Sequence, residues 1–212
     1  MAKFKKGILG PVSGKIGPVV GASWKGISYL RAAPKKKKGA KRSPAQLENQ
    51  QKFKFLNQFL TPFHPYLNNG FRHNASKKTE INAGFTANYR LVSGTYPDLV
   101  IDLTQLALSK GDLATLKDAV LVWLNDNRLQ LSWNNLPERN AGFDDQLMFI
   151  IYAPGLEKAD GVVGGTRRSA GEFIFTLEEQ FMHQELFVYA AMLALNGRST
   201  SDSIYLGRMV SP

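Results

Sequence analysis

The chain has 212 residues, and its hydrophobic fraction of 43% and aromatic fraction of 11% exclude a disordered protein and fit a globular one. Cysteine is absent, which excludes a disulfide framework, thiolate metal sites and cysteine nucleophiles. The net charge of +10 is unevenly spread: residues 1–95 carry 18 Lys and Arg against 2 acidic residues, and residues 96–212 carry 9 against 15. This asymmetry predicts a polyanionic partner for the first half, or docking of one subunit's basic arm on another's acidic domain.

Residues 1–42 are predicted to form a basic, glycine-rich arm. The motif Gly-x-x-Gly-Pro-Val begins at Gly7 and again at Gly14, and this density of glycine and proline favours an extended or turn-rich chain over a helix. Residues 21–31 are predicted to be a strand suited to pairing with a sheet edge, in the same molecule or in a neighbour. Residues 34–42 are lysine-rich and are predicted to be a solvated linker.

A helix is predicted to begin directly after this linker. Ser43 is a favourable N-cap, Pro44 occupies the first helical position and Gln46 completes a capping box. The helix ends near Thr61-Pro62, and its apolar stripe comprises Leu47, Phe53, Leu56, Phe59 and Leu60. Residues 63–84 are predicted to be loop with room for a short helix, so residues 43–84 form a second segment of helix and loop.

From residue 85 onwards the pattern becomes that of β-strands. Leu99, Ile101 and Leu103 alternate with Val100, Asp102 and Thr104. Residues 129–133 alternate between apolar and polar, and residues 146–152 are interpreted as a continuous apolar run typical of a buried central strand. Later strands are predicted at 172–177, 185–195 and 203–209, with a hairpin turn at Asn196-Gly197. Residues 85–212 are therefore predicted to form a mainly β domain, an antiparallel sandwich of immunoglobulin or fibronectin type. The lack of a cysteine pair excludes an antibody-type domain.

The candidate binding residues all lie in the arm. Lysine and arginine side chains are suited to phosphate contacts, and the rings of Trp24 and Tyr29 offer surfaces for stacking or docking. The predicted polyanion-binding residues are Lys3, Lys5, Lys6, Lys15, Lys25, Arg31, Lys35, Lys36, Lys37, Lys38, Lys41 and Arg42. No helix-turn-helix, zinc-finger or RNA-recognition signature is present, so any contact with DNA or RNA is expected to be nonspecific.

No motif predicts a catalytic residue, a metal site or a cofactor. Ser13-Gly14-Lys15 lacks the hydroxyl residue of a phosphate-binding loop, since Ile16 follows the lysine. The three histidines lack metal-ligand spacing, and no Gly-x-Ser-x-Gly elbow is present. Asp144-Asp145 is a candidate calcium pair, but a solvated turn is favoured. Residues 161–168, which end in two arginines, are a candidate anion grip, but a mobile loop between strands is favoured.

Six aromatic residues of the β-region are compatible with a sugar-binding face or with a core. Aromatic side chains in strands belong to the core far more often, so at least four of the six are expected to be buried. The six residues are Trp123, Trp133, Phe149, Tyr152, Phe173 and Phe175.

The motifs of the arm resemble those of a bacterial family of unknown function that combines a glycine-rich basic arm with a fibronectin- or immunoglobulin-like β-domain. The resemblance rests on residues 7–21, on Trp24-Lys-Gly-Ile-Ser-Tyr and on Ser43-Pro-Ala-Gln. Motifs near residues 94–98, 108–111 and 201–207 are similar to the same family, so the resemblance covers essentially the whole chain. It implies no activity. The arm is also similar, more loosely, to arms of phage structural proteins.

These observations predict a non-enzymatic structural or assembly protein, for example a phage or phage-derived particle component. Its arm is expected to dock on neighbouring subunits of a homo-oligomer or array, or on nucleic acid, and no small-molecule substrate is predicted. A nonspecific nucleic-acid-binding protein and a carbohydrate-binding β-sandwich are the alternatives. The sequence shows neither the apolar run of a secretion signal nor the roughly 20 apolar residues of a membrane span. The expected location is the cytoplasm or an assembled particle.

Overall fold

The computed structural model describes residues 3–4, 10–24, 26–35, 42–74, 78–125 and 127–210. The chain divides into two compact units, residues 1–43 and residues 44–212. The strands are β1 (Lys3–Phe4), β2 (Val12–Ile16), β3 (Val19–Trp24), β4 (Ile27–Ala32), β5 (Val92–Ser93), β6 (Val100–Ile101), β7 (Lys117–Asn125), β8 (Arg128–Asn134), β9 (Gln146–Ala153), β10 (Lys158–Arg167), β11 (Glu172–Thr176), β12 (Glu185–Leu193) and β13 (Ile204–Val210). The helices are α1 (Pro44–Leu60), α2 (His64–Gly70) and α3 (Glu80–Asn88).

The first unit is a small antiparallel sheet in which β1 to β4 lie side by side in chain order. The prediction of a strand over residues 21–31 is confirmed, except that the chain reverses between Trp24 and Ile27, which are register partners. Gly26 in this reversal has a φ of +81°, and Gly17 in the preceding one has a φ of +54°. Both values lie in the left-handed region, which glycine adopts without steric cost and which two-residue hairpins favour.

The second unit contains a β-sandwich. One sheet has the order β11-β8-β7, the other has the order β10-β9-β12-β13, and all pairings are antiparallel. The two sheets bury a shared core between them, with Leu131, Phe149 and Val188 fully buried. This split of seven strands into three and four is that of fibronectin-like sandwiches, which confirms the predicted fold class.

Burial of the central strand β9 on both of its faces accounts for its apolar sequence. Alternate side chains of a strand point to opposite faces. Leu147, Phe149 and Ile151 face the three-stranded sheet β11-β8-β7. Met148 and Ile150 point the other way and belong to a separate core that they share with the helices. Seven consecutive residues of β9, Leu147 to Ala153, are therefore buried, which is why all seven are apolar, while Gln146 at the start of the strand is only half-buried.

The helices cover the other face of the four-stranded sheet. Helix α1 spans the predicted range, and its Leu56 and Leu60 are buried there, whereas Leu47 and Phe53 of the same predicted stripe are 44% and 55% exposed. The prediction of mainly loop over 63–84 is wrong, because α2 and most of α3 lie in that range. The N-cap of α3 was present in the sequence: the Oγ1 of Thr79 accepts a hydrogen bond from the backbone N–H of Asn82 at 3.3 Å.

Several strand predictions are confirmed and others need correction. The strands near 129–133, 146–152, 172–177, 185–195 and 203–209 and the turn at Asn196-Gly197 are present. The alternation over 99–104 yields only β6 followed by a 3-10 turn, and β7 was not predicted. The mobile loop predicted for 161–168 is instead most of β10, where Val162 and Val163 pair with Phe149 and Met148. Gly161 pairs with Ile150, whereas Gly164 and Gly165 lie at an irregularity where the register shifts between Val163 and Arg167.

Candidate docking surface on the N-terminal sheet

The register of the N-terminal sheet places the basic and aromatic residues of the arm on one face. Residues directly opposite each other in neighbouring strands share a face, as do alternate residues within a strand. Lys15, Val20 and Arg31 form one cross-strand row, Ala22 pairs with Tyr29, and Trp24 pairs with Ile27. We call this surface the basic–aromatic face, and it comprises Lys15, Val20, Ala22, Trp24, Ile27, Tyr29 and Arg31.

The large side chains of this face are exposed. Trp24 is 46%, Ile27 is 67% and Tyr29 is 45% accessible, and the side chains of Lys15 and Arg31 are also exposed. The opposite face of the sheet exposes aliphatic residues, Ile16 at 47% and Leu30 at 65%. Apolar area exposed in this concentration on a small sheet is typical of a surface that binds a partner.

The sheet is nevertheless tightly paired at its centre. Within the described part of residues 10–35, Gly21 alone is buried. A Cβ atom added to Gly21 would lie 2.2 Å from the carbonyl oxygen of Val12, so a larger residue would force β2 and β3 apart. Glycine at this position therefore allows the close backbone contact that holds the basic–aromatic face together.

The structure brings together four of the predicted site residues: Lys15, Trp24, Tyr29 and Arg31. Lys3 lies in β1 as the register partner of Ser13, and Lys35 and Arg42 are exposed. The remaining predicted residues lie outside the described part of the chain; they are Lys5, Lys6, Lys25, Lys36, Lys37, Lys38 and Lys41. Sequence reasoning did not place Val20 on this face, because its position depends on the pairing of β2 with β3.

Ser13-Gly14-Lys15 lies within strand β2. A phosphate-binding loop connects a strand to the N-terminus of a helix, where several backbone N–H groups converge on the phosphate. The tripeptide has no such surroundings, because β2 is followed by a tight reversal into β3. Lys15 is accordingly a residue of a sheet face.

Asp145 and Arg168, one residue from each charged motif of the β-domain, form a buried ion pair. The Nε of Arg168 donates to the Oδ2 of Asp145 at 3.1 Å, and its terminal nitrogens donate to the carbonyl oxygens of Thr115 at 3.2 Å and Ala114 at 2.6 Å. Asp145 and Arg168 are 3% and 5% exposed. The prediction of a solvated turn is therefore wrong for Asp145. The carboxylate of Asp145 and the guanidinium of Arg168 neutralise each other, so neither is available to bind calcium or an anion.

Trp133 fixes this ion pair to the sandwich core. Its indole Nε1 donates to the carbonyl oxygen of Arg168 at 2.8 Å, and the backbone N–H of Gly142 donates to Asp145 at 2.9 Å. The contacts join β8 to the segments on either side of β9 and β10. The sequence signals were present as two charged dipeptides, but nothing in their spacing showed that they meet.

The three histidines lie in separate segments of the fold. The Nε2 of His73 lies 3.0 Å from the carbonyl oxygen of Gly197, while His64 lies at the start of α2 and His183 lies between two strands. Among the described residues, no group of three or more His, Cys, Asp or Glu side chains is placed to hold a metal ion. Nor does any helix in the described ranges have the length and apolarity to cross a membrane.

The six aromatic residues weighed as a sugar-binding face belong to the cores. Trp133, Phe149, Tyr152 and Phe175 are buried, which confirms the expectation of at least four. Trp123 and Phe173 are partly buried and pack against the same sandwich core. Their rings therefore leave little area for a carbohydrate.

Burial also changes the acidity of tyrosines in the helical core. Burial, with the negative charge of Asp160 as a smaller cause, raises the pKa of Tyr66 to about 12. Burial is likewise the main cause that raises the pKa of Tyr189, whose hydroxyl donates to the carbonyl oxygen of Leu103 at 2.8 Å. Both phenols stay neutral at physiological pH, and that of Tyr189 is a hydrogen-bond donor within the fold.

The fold and this surface define an immunoglobulin- or fibronectin-like β-sandwich protein with an additional N-terminal sheet. The chain belongs to the family of unknown function DUF6266, whose family model matches residues 11–207. The match includes β2, β3 and β4 of the N-terminal sheet together with nearly all of the sandwich. A comparison with curated proteins finds no match.

Two fibronectin type III domains are among the solved structures that resemble the chain. The fn3 domain of the human collagen alpha-1(XX) chain has a TM-score of 0.34 and 16% identity, covering 47% of this chain and 88% of that domain. The fn3 domain of human contactin 1 has a TM-score of 0.34 and 14% identity, covering 57% of this chain and 93% of that domain. At these TM-scores the fold assignment rests on the strand order given above.

Proposed function

We propose that the protein is a structural assembly component whose N-terminal sheet docks on a neighbouring copy of the chain. The observation that carries this proposal is the exposure of Trp24, Ile27 and Tyr29 on one face of a sheet that has almost no buried residues of its own. A particle component, such as one of phage origin, is the form of assembly that the arm favours. An antiparallel sheet of this size normally needs a hydrophobic face covered by another element.

The charge distribution supports docking between copies. Residues 1–43 contain twelve Lys and Arg and no Asp or Glu, while residues 96–212 carry an excess of acidic residues. Two identical sheets would repel each other, whereas a sheet and an acidic β-domain attract. Electrostatic complementarity of this kind steers association and fixes orientation more than it adds affinity.

Light scattering of the full-length protein after size exclusion tests the proposal. The wild type is expected to form an oligomer, and the triple variant Trp24→Ser/Ile27→Ser/Tyr29→Ser is expected to be monomeric. The matched control is Val120→Ser/Val122→Ser/Ile174→Ser, which removes three side chains of similar exposure (53%, 42% and 47%) from the sandwich and should assemble like the wild type. A wild type that stays monomeric at every concentration contradicts the proposal.

A further variant tests whether assembly depends on the pairing of the strands or only on the exposed side chains. Gly21→Ala keeps every exposed residue but introduces a Cβ atom 2.2 Å from the Val12 carbonyl oxygen. We expect it to weaken assembly as the triple variant does, while the unfolding transition of residues 44–212 stays unchanged. Normal assembly by this variant would show that the paired sheet is not the docking element.

Nonspecific binding of nucleic acid is the second candidate function. It is favoured by the position of Lys15 and Arg31 on the same face as Trp24 and Tyr29, since cationic and aromatic side chains together suit single-stranded nucleic acid. The absorbance ratio of the purified protein separates the two candidates. A monomer that retains nucleic acid, and releases it in the variant Lys15→Ser/Arg31→Ser, would favour nucleic-acid binding over assembly.

A further inference from the structure

A groove in the second unit is lined by aromatic and acidic side chains, which are complementary to the basic–aromatic face. Two adjoining depressions, of about 500 and 440 Å³, share Thr61, Pro62 and Glu157. One side of the groove is formed by the end of α1 and the turn that follows it. The other side is formed by the beginning of β10 and the turn at Glu178–Phe181. We call it the Pro62 groove.

Aromatic rings form the floor of the Pro62 groove. Phe59 contacts Tyr152 edge to face, with ring centroids 5.6 Å apart, and Phe63 lies beneath with its centroid 4.9 Å from that of Tyr152. Phe63 is fully buried, but Phe55 and Phe59 are only partly buried and line the groove. A partly exposed aromatic floor gains stability when another aromatic or aliphatic side chain covers it.

The rim of the groove is acidic. Glu157, Asp160 and Glu178 line it, and the single ammonium group there, that of Lys158, donates to the Oε1 of Gln180 at 2.7 Å. The negative potential extends to the floor. Burial first, and then the charge of Glu157, raises the pKa of Tyr152, just as Asp160 adds to the effect of burial on Tyr66.

We propose that the Pro62 groove of one copy receives the basic–aromatic face of the N-terminal sheet of a second copy. The pairing places Trp24 and Tyr29 against the aromatic floor, and Lys15 and Arg31 opposite the carboxylates of the rim. This inference rests on the proposed function and names the surface that completes it. The two surfaces match in apolar character and in charge. The sheet carries exposed aromatic side chains beside cations, and the groove has an aromatic floor beside carboxylates.

The pairing has a consequence for the form of the assembly. The sheet and the groove are different surfaces of the same chain, so each copy donates one and accepts with the other. Such a heterologous contact produces a closed ring if the rotation between copies closes, and an open filament if it does not. The smallest closed form is a reciprocal twofold dimer, in which the sheet of each copy occupies the groove of the other.

Charge reversal on the two surfaces tests the pairing in the full-length protein. The groove variant is Glu157→Lys/Glu178→Lys, and the sheet variant is Lys15→Glu/Arg31→Glu; these four residues are exposed. We expect each variant alone to associate at least roughly 100-fold more weakly than the wild type by analytical ultracentrifugation, since like charges now face each other. The control Asp98→Lys/Glu172→Lys makes the same change in net charge as the groove variant, on exposed residues that do not line the groove, and should associate normally.

Mixing the groove variant with the sheet variant gives the decisive result. Wild-type surfaces on each partner can then meet, and the reversed surfaces also attract one another, so association is expected to return on mixing. A groove variant that assembles like the wild type, while the sheet variant does not, would overturn the groove and leave the proposed function in place. A monomeric wild type would overturn both, and protection of the groove within that monomer would identify the chain's own sheet as the occupant.

Discussion

The N-terminal sheet and the β-sandwich are both antiparallel, but they differ in what their strands bury. Seven consecutive residues of β9 in the sandwich are buried, whereas all six residues of β4 in the N-terminal sheet are exposed. The sandwich has a second sheet on one side of β9 and helices on the other. The difference shows that the sandwich completes its core within the chain, while the N-terminal sheet keeps its apolar faces exposed; we propose a neighbouring copy as their partner.

The largest expected effect belongs to the buried ion pair of the sandwich. Arg168→Met leaves the carboxylate of Asp145 buried without its partner, which is expected to cost about 3–5 kcal/mol of unfolding free energy. The control is Arg208→Met, which breaks the exposed pair of Arg208 with Glu185 and should cost no more than about 1 kcal/mol. Urea unfolding measures both. Equal losses in the two variants would contradict the structural role assigned to Arg168.

A matched pair of leucines compares the two units directly. Leu131 in β8 is fully buried, and Leu30 in β4 is 65% exposed. Leu131→Ala is expected to lower the unfolding free energy by about 2–5 kcal/mol, and Leu30→Ala to change it by less than about 0.5 kcal/mol. The measurement is urea unfolding of the protein at a concentration below that of association. A large loss for Leu30→Ala would mean that the sheet buries this residue within a single copy.

The tyrosines add a pH dependence that belongs to the second unit alone. The pKa of Tyr66 is raised to about 12, so its stabilising contribution is complete below pH 10 and is lost as the pH rises towards 12. Tyr66→Phe is expected to remove on the order of 1–2 kcal/mol of the decline in stability over that interval. Unfolding by urea at a series of alkaline pH values tests this. The exposed Tyr96→Phe is the control, and an identical decline in wild type and Tyr66→Phe would contradict the assignment.

The sequence predicted the parts of the fold that depend on local pattern. Period-two strands such as β8, the apolar run of β9 and the range of α1 were recognised, because each is a signal within a few residues. Short helices such as α3 were missed, since nine residues give too little periodicity. The glycines of β10 were interpreted as a loop, although the strand accommodates them, in part at an irregularity of its register.

The candidate site was predictable in composition but not in arrangement. The basic and aromatic residues of the arm are evident in the sequence, but their common face depends on the register of β2, β3 and β4. The ion pair of Asp145 with Arg168 shows the same limit, because 23 residues separate the partners and only the fold brings them together. The Pro62 groove combines residues from α1, β10 and the turn at 178–181, so no local pattern marks it.

Hydrogen–deuterium exchange at two protein concentrations tests the central claim most directly. We expect backbone amides of β3 and β4 to exchange rapidly in dilute protein and to become protected in concentrated protein, because the sheet is then covered by another copy. The amides of β9 should be protected equally at both concentrations, since its partners lie in the same chain. Rapid exchange of β4 at every concentration, or protection of β4 that does not depend on concentration, would contradict docking between copies.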